Sequence, residues 1–366
     1  MPLRFHWRLL MAGEASGLTR TMMYNSVEPS LPDLPAQIEF CRRAEESGID
    51  SLLTDFGFSK PDSIVLSAAL GLATEKIKFI VAYRSGLLCP TIFVQQLNTL
   101  SALINGRFSL NIVAGHSPEE QRYYGDFLSH DERYARTEEF LSICRAFWKR
   151  NGDVTFDGKY YQVENAKLNV PFISSYRTSP EIYIAGSSPP AERLAINHGT
   201  CWMRIADEPA KVRDKIQPAL AAGVECGLRM GIIARPTREE AVRAAYSLIK
   251  SLNVKSDDTR GEYEFVRNSD STSIKATYGL ESEWVTPYLW TGAVRHIGAP
   301  AIALVGSPEE IASAIMEYRE IGITQFIFSG WPKQDEMVYF GQQVLPLIRK
   351  KERELKAQPD TVSTRM

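Results

Sequence analysis

The fold of this chain is decided by residues 105–116, which read Asn-Gly-Arg-Phe-Ser-Leu-Asn-Ile-Val-Ala-Gly-His. The first two residues are typical of a turn, and residues 108–113 are rich in strand-forming side chains. Asn111 and His116 then place polar groups at the carboxyl end of that strand, where α/β barrels carry their active sites. The pattern predicts a core strand, and a loop without function explains these residues as well as a site does.

Strand-like and helical segments alternate on both sides of this stretch, in the βαβα order of a parallel sheet. Eight strands are predicted, over residues 5–11, 51–55, 77–83, 109–113, 181–185, 201–205, 229–234 and 325–329. Helices with apolar positions at helical spacing are predicted over residues 34–47, 63–74, 91–104, 133–149, 238–251 and 335–348. The eight strands favour a closed (β/α)8 TIM barrel of the α/β class, formed as a single domain by residues 1–350.

Three segments depart from this alternation. Residues 152–177 are predicted to form a strand-rich excursion, and residues 351–366 a charged tail. Residues 253–283 are polar and dense in Ser, Asp, Thr and Lys. This insertion, taken as about residues 253–285, is either a solvated surface loop or a lid over the barrel mouth, as long loops there often are.

The composition argues against two classes of partner. The chain has 366 residues with 42 basic and 44 acidic side chains, so it offers no broad positive field for nucleic acid. No apolar run approaches the roughly 20 residues of a membrane span, and residues 1–17 lack the features of a signal peptide. A cytoplasmic protein without a membrane or nucleic-acid partner is therefore expected.

Metal and nicotinamide sites are also disfavoured. The Cys and His residues are scattered, with no Cys-x-x-Cys and no His-x-x-x-His spacing. No Gly-x-Gly-x-x-Gly follows a predicted strand, so the usual phosphate loop for a dinucleotide is missing. We expect no metal and no firmly held NAD(P).

A different phosphate site is indicated by residues 182–192, where a strand leads through Gly186, Ser187 and Ser188 into a helix. Backbone N–H groups at a helix start, the helix dipole and two hydroxyls all favour an anion. A serine that merely caps the helix explains the same residues without a ligand. A second motif, His-Asp-Glu-Arg-Tyr, ends in Tyr134, a further donor for the phosphate position, although it also fits the start of an ordinary helix.

Several short runs, taken together, resemble a known family. They are residues 78–84 (KFIVAYR), 89–91 (CPT), 105–107 (NGR), 111–115 (NIVAG), 130–134 (HDERY), 186–188 (GSS), 287–290 (PYLW) and 303–306 (ALVG). In this order, and over nearly the whole chain, they are similar to the bacterial luciferase-like flavin-dependent monooxygenases, and within these to the alkanesulfonate monooxygenases. Each run is unspecific alone, and the ordered set carries the resemblance.

The resemblance implies a barrel that receives reduced FMN from a separate NAD(P)H:flavin reductase, adds O2 at the flavin and transfers one oxygen atom to a small-molecule substrate. It also implies a homo-oligomer, as a dimer or tetramer. The implied cofactor residues are Ala82, Asn111 and Ala114 along the isoalloxazine ring, and Tyr134, Gly186, Ser187 and Ser188 at the 5′-phosphate. His116 is expected beside the reacting oxygen.

The chain departs from the alkanesulfonate monooxygenases in the implied substrate pocket. Lys60 stands where they have a cysteine, Gly231 where they have a histidine, and Trp331 where they have a tyrosine. Trp331 offers a flat surface for a larger or aromatic substrate, or else it only seals the barrel.

Of two arginines that anchor the sulfonate in those relatives, one is retained. Arg229 keeps its position, whereas the lid arginine aligns with Ile297. Arg295, His296 or a water molecule would have to replace it, because a buried acceptor left unpaired costs roughly 1–3 kcal/mol. The implied catalytic candidates are therefore Arg229, His116, Trp331, Lys60 and Arg295.

Oxidative C–S cleavage of an organosulfonate is the leading reaction. The altered pocket leaves open a related hydroxylation or C–N cleavage of a larger aromatic or heterocyclic substrate, including a flavin. Two further alternatives are an FMN-binding protein without catalysis and a barrel reductase that uses a deazaflavin.

Overall fold

The computed structural model describes residues 2–11, 31–252, 263–279 and 282–357. The strands are β1 (Arg4–Arg8), β2 (Ser51–Thr54), β3 (Lys78–Arg84), β4 (Phe108–Val113), β5 (Val154–Asp157), β6 (Gln162–Ala166), β7 (Ile182–Ala185), β8 (Cys201–Ile205), β9 (Glu225–Ala234), β10 (Leu289–Trp290), β11 (Ala303–Gly306) and β12 (Ile323–Gly330). Eight parallel strands close into a barrel in the order β1, β2, β3, β4, β7, β8, β9 and β12. The predicted α/β TIM barrel is confirmed.

Helices surround the barrel and follow its strands. They are α1 (Leu34–Glu46), α2 (Ser63–Leu72), α3 (Pro90–Ile104), α4 (Pro118–Tyr123), α5 (His130–Lys149), α6 (Pro189–His198), α7 (Pro209–Ala221), α8 (Arg238–Ser251), α9 (residues 263–268), α10 (Thr272–Tyr278), α11 (Val294–Ile297), α12 (Pro308–Glu320), α13 (Lys333–Tyr339) and α14 (Leu345–Ala357). Helix α3 ends at Asn105 with φ +50, and Gly106 follows with φ +65. The turn predicted before β4 is therefore confirmed, since such φ values favour Asn and Gly.

Alternation along β3 sends successive side chains to two different layers. Ile80 and Ala82 lie in the barrel interior with Met203, while Phe79 and Val81 belong to the large cluster that packs against the helices. The interior layers fill the barrel, so the space for a ligand lies at its mouth.

The excursion after α5 is a hairpin, as the sequence predicts. Strands β5 and β6 pair antiparallel. Glu139 of α5 fixes the turn, because its carboxylate accepts hydrogen bonds from the backbone N–H groups of Lys159, Tyr160 and Tyr161 at 2.9, 2.8 and 3.1 Å. The hairpin is thereby held against the outer side of the barrel helices.

Outside the barrel, the sheet continues along the carboxyl-terminal half of β9. Residues 225–229 of β9 pair with β8, whereas residues 231–234 pair with β11, which in turn pairs antiparallel with β10. This extension places the segment after α11 next to the barrel mouth.

The insertion and the tail are described in part. Residues 253–262, 280–281 and 358–366 lie outside the described residues. Helix α14 continues through residues 351–357 of the predicted tail, and the carboxylate of Glu352 accepts a hydrogen bond from the backbone N–H of Leu3 at 2.6 Å. In the described part of the chain, no helix has the length and apolar character needed to cross a membrane.

Candidate active site

A cavity of about 270 Å³ lies at the carboxyl ends of the barrel strands. Its lining includes every residue that the sequence predicts for the cofactor, namely Ala82, Asn111, Ala114, Tyr134, Gly186, Ser187 and Ser188. Two predicted catalytic candidates, Arg229 and His116, line the same cavity. Residues from five separate segments therefore converge at one place.

One end of the cavity presents a neutral amide on an apolar floor. The parallel register places Ala82 of β3 beside Asn111 of β4. Asn111 is 7% exposed, and its Oδ1 has no hydrogen-bond partner within the described ranges. A buried acceptor left unpaired costs roughly 1–3 kcal/mol, so this oxygen fits a ligand that brings an N–H donor. The reduced isoalloxazine ring has such N–H groups.

The turn between β7 and α6 forms a cradle at the other end. Gly186 has φ +135, and a Cβ built there would lie 2.9 Å from both Tyr134 Oη and Ala191 Cβ. Ser188 caps α6, because its side chain accepts a hydrogen bond from Ala191 N at 3.4 Å. The capping role weighed for this serine is confirmed, and the backbone N–H groups at the start of α6 still favour an anion.

Tyr134 is positioned as a donor beside this cradle. Burial raises the pKa of its phenol, while a hydrogen bond with Ser188 acts in the opposite direction. The phenol therefore stays protonated near neutral pH. It can donate to an anion bound at the start of α6.

The described part of the insertion reaches the cavity. Residues 270–274 contribute to its lining. Asp270 forms an ion pair with Arg133 of α5 at 2.6 Å, and its backbone N–H donates to the carbonyl of His116 at 2.8 Å. The hydroxyl of Ser273 donates to that of Ser187 at 2.8 Å. These contacts join the insertion to the turn between β7 and α6 and to the loop after β4.

Arg229 of β9 lines the cavity close to a carboxylate. Its guanidinium is 3.8 Å from Asp55, which also forms an ion pair with Arg8. Burial acts to raise the pKa of Asp55, but Arg8 and then Arg229 outweigh it, so the pKa falls below its ordinary value. Asp55 is therefore ionised at neutral pH.

The structure places Trp331 against the barrel wall. Its ring atoms Cζ3 and Cη2 lie 2.7 and 2.9 Å from the point where Gly231 would carry a Cβ. A side chain at position 231 would thus collide with the indole. The two departures from the sulfonate branch at Gly231 and Trp331 are linked, because the glycine makes room for the larger ring.

Neither Lys60 nor Arg295 lines the cavity. Lys60 is half-buried, and burial followed by the charges of Arg8 and Lys333 lowers its pKa to about 7. Arg295 is exposed on α11. The short 3₁₀ turn Ala299–Ala301 after α11 reaches the cavity instead.

Several lining residues were missed by the sequence reasoning. Asp55 follows β2 directly and Arg84 ends β3, so the rule that sites lie at strand exits would have found both. Asp270 and Ser273 belong to a polar insertion without periodic pattern, and no sequence signal assigns them to the cavity.

Comparisons with known proteins agree with this geometry. A family model described as luciferase-like monooxygenase matches residues 4–325. The EDTA monooxygenase EmoA from Chelativorans sp. BNC1 is similar in structure, with 20% identity, a TM-score of 0.76, and coverage of 96% of this chain and 94% of that one. Riboflavin lyase RcaE and long-chain alkane monooxygenase LadA each show 18% identity, a TM-score of 0.75, and coverage of 96% and 92%. At these identities the likeness shows the fold alone.

Proposed function

The chain belongs to the luciferase-like monooxygenase family, and from this premise we propose that it is a two-component monooxygenase that uses reduced FMN and O2 to oxidise a small organic substrate. The observation that carries the proposal is the single cavity that joins the unpaired amide oxygen of Asn111 to the cradle at Gly186. These two ends match the two polar ends of FMN, the ring edge and the phosphate.

The residues of the cavity have separate tasks in this proposal. Asn111 accepts an N–H of the ring, and Ala82 and Ala114 provide apolar contact. Tyr134 and Ser187 donate to the phosphate at the start of α6. Reduced FMN, when bound, supplies two electrons that convert one atom of O2 to water while the other is transferred to the substrate. A separate NAD(P)H:flavin reductase supplies the reduced flavin.

The substrate side is assigned to Arg229. As a cation that lines the cavity on β9, a strand that supplies none of the proposed flavin residues, it anchors an anionic or strongly polar group. Oxidative C–S cleavage of an organosulfonate remains the leading reaction. The second candidate is a larger aromatic or heterocyclic compound that is hydroxylated or cleaved at a C–N bond. Trp331 does not line the cavity and packs beside Gly231 instead, so the indole does not decide between the two candidates.

The test supplies reduced FMN, O2 and a panel of organosulfonates and heterocyclic compounds to the protein. We expect substrate-dependent oxygen consumption and incorporation of one atom of ¹⁸O2 into the product. Tight FMN binding without product from any compound would instead indicate a flavin carrier. A preference for a deazaflavin in a binding titration would indicate the reductase alternative.

Arg229→Ala is expected to raise the Michaelis constant about 30-fold, since it removes a charge-assisted hydrogen bond worth about 2 kcal/mol. FMN affinity should remain within about twofold, because none of the proposed flavin contacts comes from β9, the strand that carries Arg229. Steady-state kinetics and an FMN titration measure the two effects. Arg243→Ala, on the exposed side of α8, is the matched control. An equal loss of FMN affinity would contradict the assigned role.

We also propose that the insertion acts as a lid. Asp270→Asn weakens the ion pair with Arg133, and a loss of about 1.4 kcal/mol raises the open population about tenfold. Water then reaches the flavin, so a larger fraction of the electrons should appear as hydrogen peroxide. A peroxide assay during turnover measures this fraction. Asp153→Asn, in the exposed pair with Lys167, is the control. If the Asp270 variant released the same fraction of electrons as hydrogen peroxide as the wild type, the insertion would be a surface loop and not a lid.

A homo-oligomer, as a dimer or tetramer, is part of the proposal. Helices α2 and α3 expose large apolar side chains, including Val65 (70% exposed), Leu72 and Leu103. Contiguous apolar surface of this kind is typical of an interface between subunits. Light scattering of the purified protein measures the state.

A further inference from the structure

The insertion meets the proposed phosphate cradle through one side chain. Ser273, on the first turn of α10, donates a hydrogen bond from its hydroxyl to the hydroxyl oxygen of Ser187 at 2.8 Å. Both residues line the cavity, together with Gly186 and Tyr134. The two serines are 86 residues apart in the sequence, so their contact depends on the insertion folding back to the turn between β7 and α6.

The insertion has further anchors that do not involve Ser273. Arg133, 2% exposed, pairs with Asp270 at 2.6 Å and donates to the carbonyl of Ala114 at 2.9 Å. The carbonyl of His116 accepts a hydrogen bond from the backbone N–H of Asp270 at 2.8 Å. These contacts involve α5 and the segment after β4, so removal of the Ser273 hydroxyl leaves them in place.

The two segments that meet at the cradle present hydroxyls to the cavity and no lysine or arginine. Among the described residues, these segments contribute residues 185–188 and 270–274 to the lining. Asp270 is the acid in these two ranges, and its ion pair with Arg133 offsets its charge. A phosphate at the cradle is therefore held by the start of α6 and by O–H donors, so the direction of each O–H bond matters.

The hydroxyl of Ser187 keeps its own proton for a ligand. A serine hydroxyl carries one proton and two lone pairs. The oxygen of Ser187 accepts the hydrogen bond from Ser273, and the described residues offer no acceptor for the proton of Ser187. A hydroxyl that accepts one hydrogen bond donates a stronger one, because the first bond polarises it. Ser273 therefore makes Ser187 a directed donor at the cradle.

We infer that the insertion recognises the phosphate of the flavin, with Ser273 as a positioning residue that aligns the hydroxyl of Ser187 towards a phosphate oxygen. The inference rests on the proposed function, because it takes the cradle as the FMN phosphate site. Such coupling is reciprocal: if contact between Ser273 and Ser187 strengthens phosphate binding, the phosphate strengthens that contact by the same factor. FMN therefore stabilises the closed insertion, whereas riboflavin, which has the ring without the phosphate, does not.

The first test compares oxidised FMN with riboflavin in calorimetric titrations of the full chain. We expect Ser273→Ala to lower FMN affinity about tenfold and riboflavin affinity by less than about twofold. Ser142→Ala, on α5, should change neither, because that hydroxyl donates to the carbonyl of Glu138 in its own helix at 2.8 Å. Circular dichroism and melting temperature check the fold of each variant. Equal losses for both flavins, or wild-type FMN affinity in Ser273→Ala, would overturn the inference.

A double variant tests whether Ser273 acts through Ser187. Ser187→Ala combined with Ser273→Ala should bind FMN as tightly as Ser187→Ala alone, because the hydroxyl that Ser273 aligns is already gone. Losses that add would show that the two serines act separately, and the positioning role would then be wrong. This comparison needs FMN alone, so it decides the question even where riboflavin binds too weakly to measure.

Hydrogen exchange of the wild-type protein measures closure of the insertion. Backbone amides of residues 263–279 should exchange about tenfold more slowly at saturating FMN than without flavin. Riboflavin should give no such protection, and Ser273→Ala should lose most of the protection given by FMN. Equal protection by the two flavins would contradict recognition of the phosphate.

These binding tests are independent of the reaction, since they need neither reduced flavin nor O2. Phosphate-dependent closure without product from any substrate would count against the proposed function alone. Turnover of a substrate by the wild type, with unchanged FMN affinity in Ser273→Ala, would count against the inference alone.

Discussion

Gly186→Ala is expected to lower FMN affinity about 100-fold, which corresponds to about 3 kcal/mol of backbone strain and steric conflict. The backbone at position 186 has φ +135, a region that L side chains rarely adopt. The added methyl group would also lie 2.9 Å from Tyr134 Oη and from Ala191 Cβ. Relief of these contacts moves either the phenol or the start of α6, and both are proposed phosphate donors.

A matched glycine separates this effect from general backbone strain. Gly223 also has a positive φ, +76, but a Cβ there meets no atom within 4 Å. Gly223→Ala should therefore cost some stability without change in FMN affinity. Fluorescence titration with FMN and thermal unfolding give the two quantities for each variant. If Gly186→Ala bound FMN with wild-type affinity, the assignment of the phosphate to this turn would be wrong.

The parts of the site that the sequence predicts are those fixed by strand register. Asn111 and Ala82 come together because β3 and β4 are adjacent parallel strands, whose exits lie at the same rim. Gly186 is recognisable because the turn from β7 to α6 requires a positive φ there. Such residues can be recognised from the local sequence, through the alternation of side chains along a strand and the residue preferences of turns.

The remaining parts depend on contacts between segments far apart in sequence. Ser273 reaches Ser187 only because the insertion folds back over the mouth, and its polar sequence has no period that would predict this. Asp55, which follows β2, lies 3.8 Å from Arg229 of β9 because only β1 and β12 separate these two strands in the closed barrel. The sequence offers Arg295 as a substitute for the arginine that Ile297 replaces, but it is exposed on α11, and the 3₁₀ turn after that helix lines the cavity instead. Tertiary packing decides these positions.

Glu120→Gln is expected to destabilise the protein by about 3 kcal/mol, because it removes the negative partner of a buried cation. Arg84 is 2% exposed and Glu120 3%. Their side chains are 3.1 Å apart, and Glu120 also accepts a hydrogen bond from the backbone N–H of Phe58 at 3.1 Å. Arg84 Nε and Nη1 have no hydrogen-bond partner within the described ranges, so this carboxylate is its main compensation.

A double-mutant cycle distinguishes the loss of charge balance from simple loss of packing. Arg84→Met combined with Glu120→Gln removes both charges and should recover most of the stability lost in Glu120→Gln alone, since the uncompensated cation is gone. Glu39→Gln, in the exposed pair with Arg43, should change the free energy of unfolding by less than about 0.5 kcal/mol. Urea midpoints and melting temperatures of the variants give the comparison. If Glu120→Gln were as stable as Glu39→Gln, the carboxylate would not compensate the charge of Arg84.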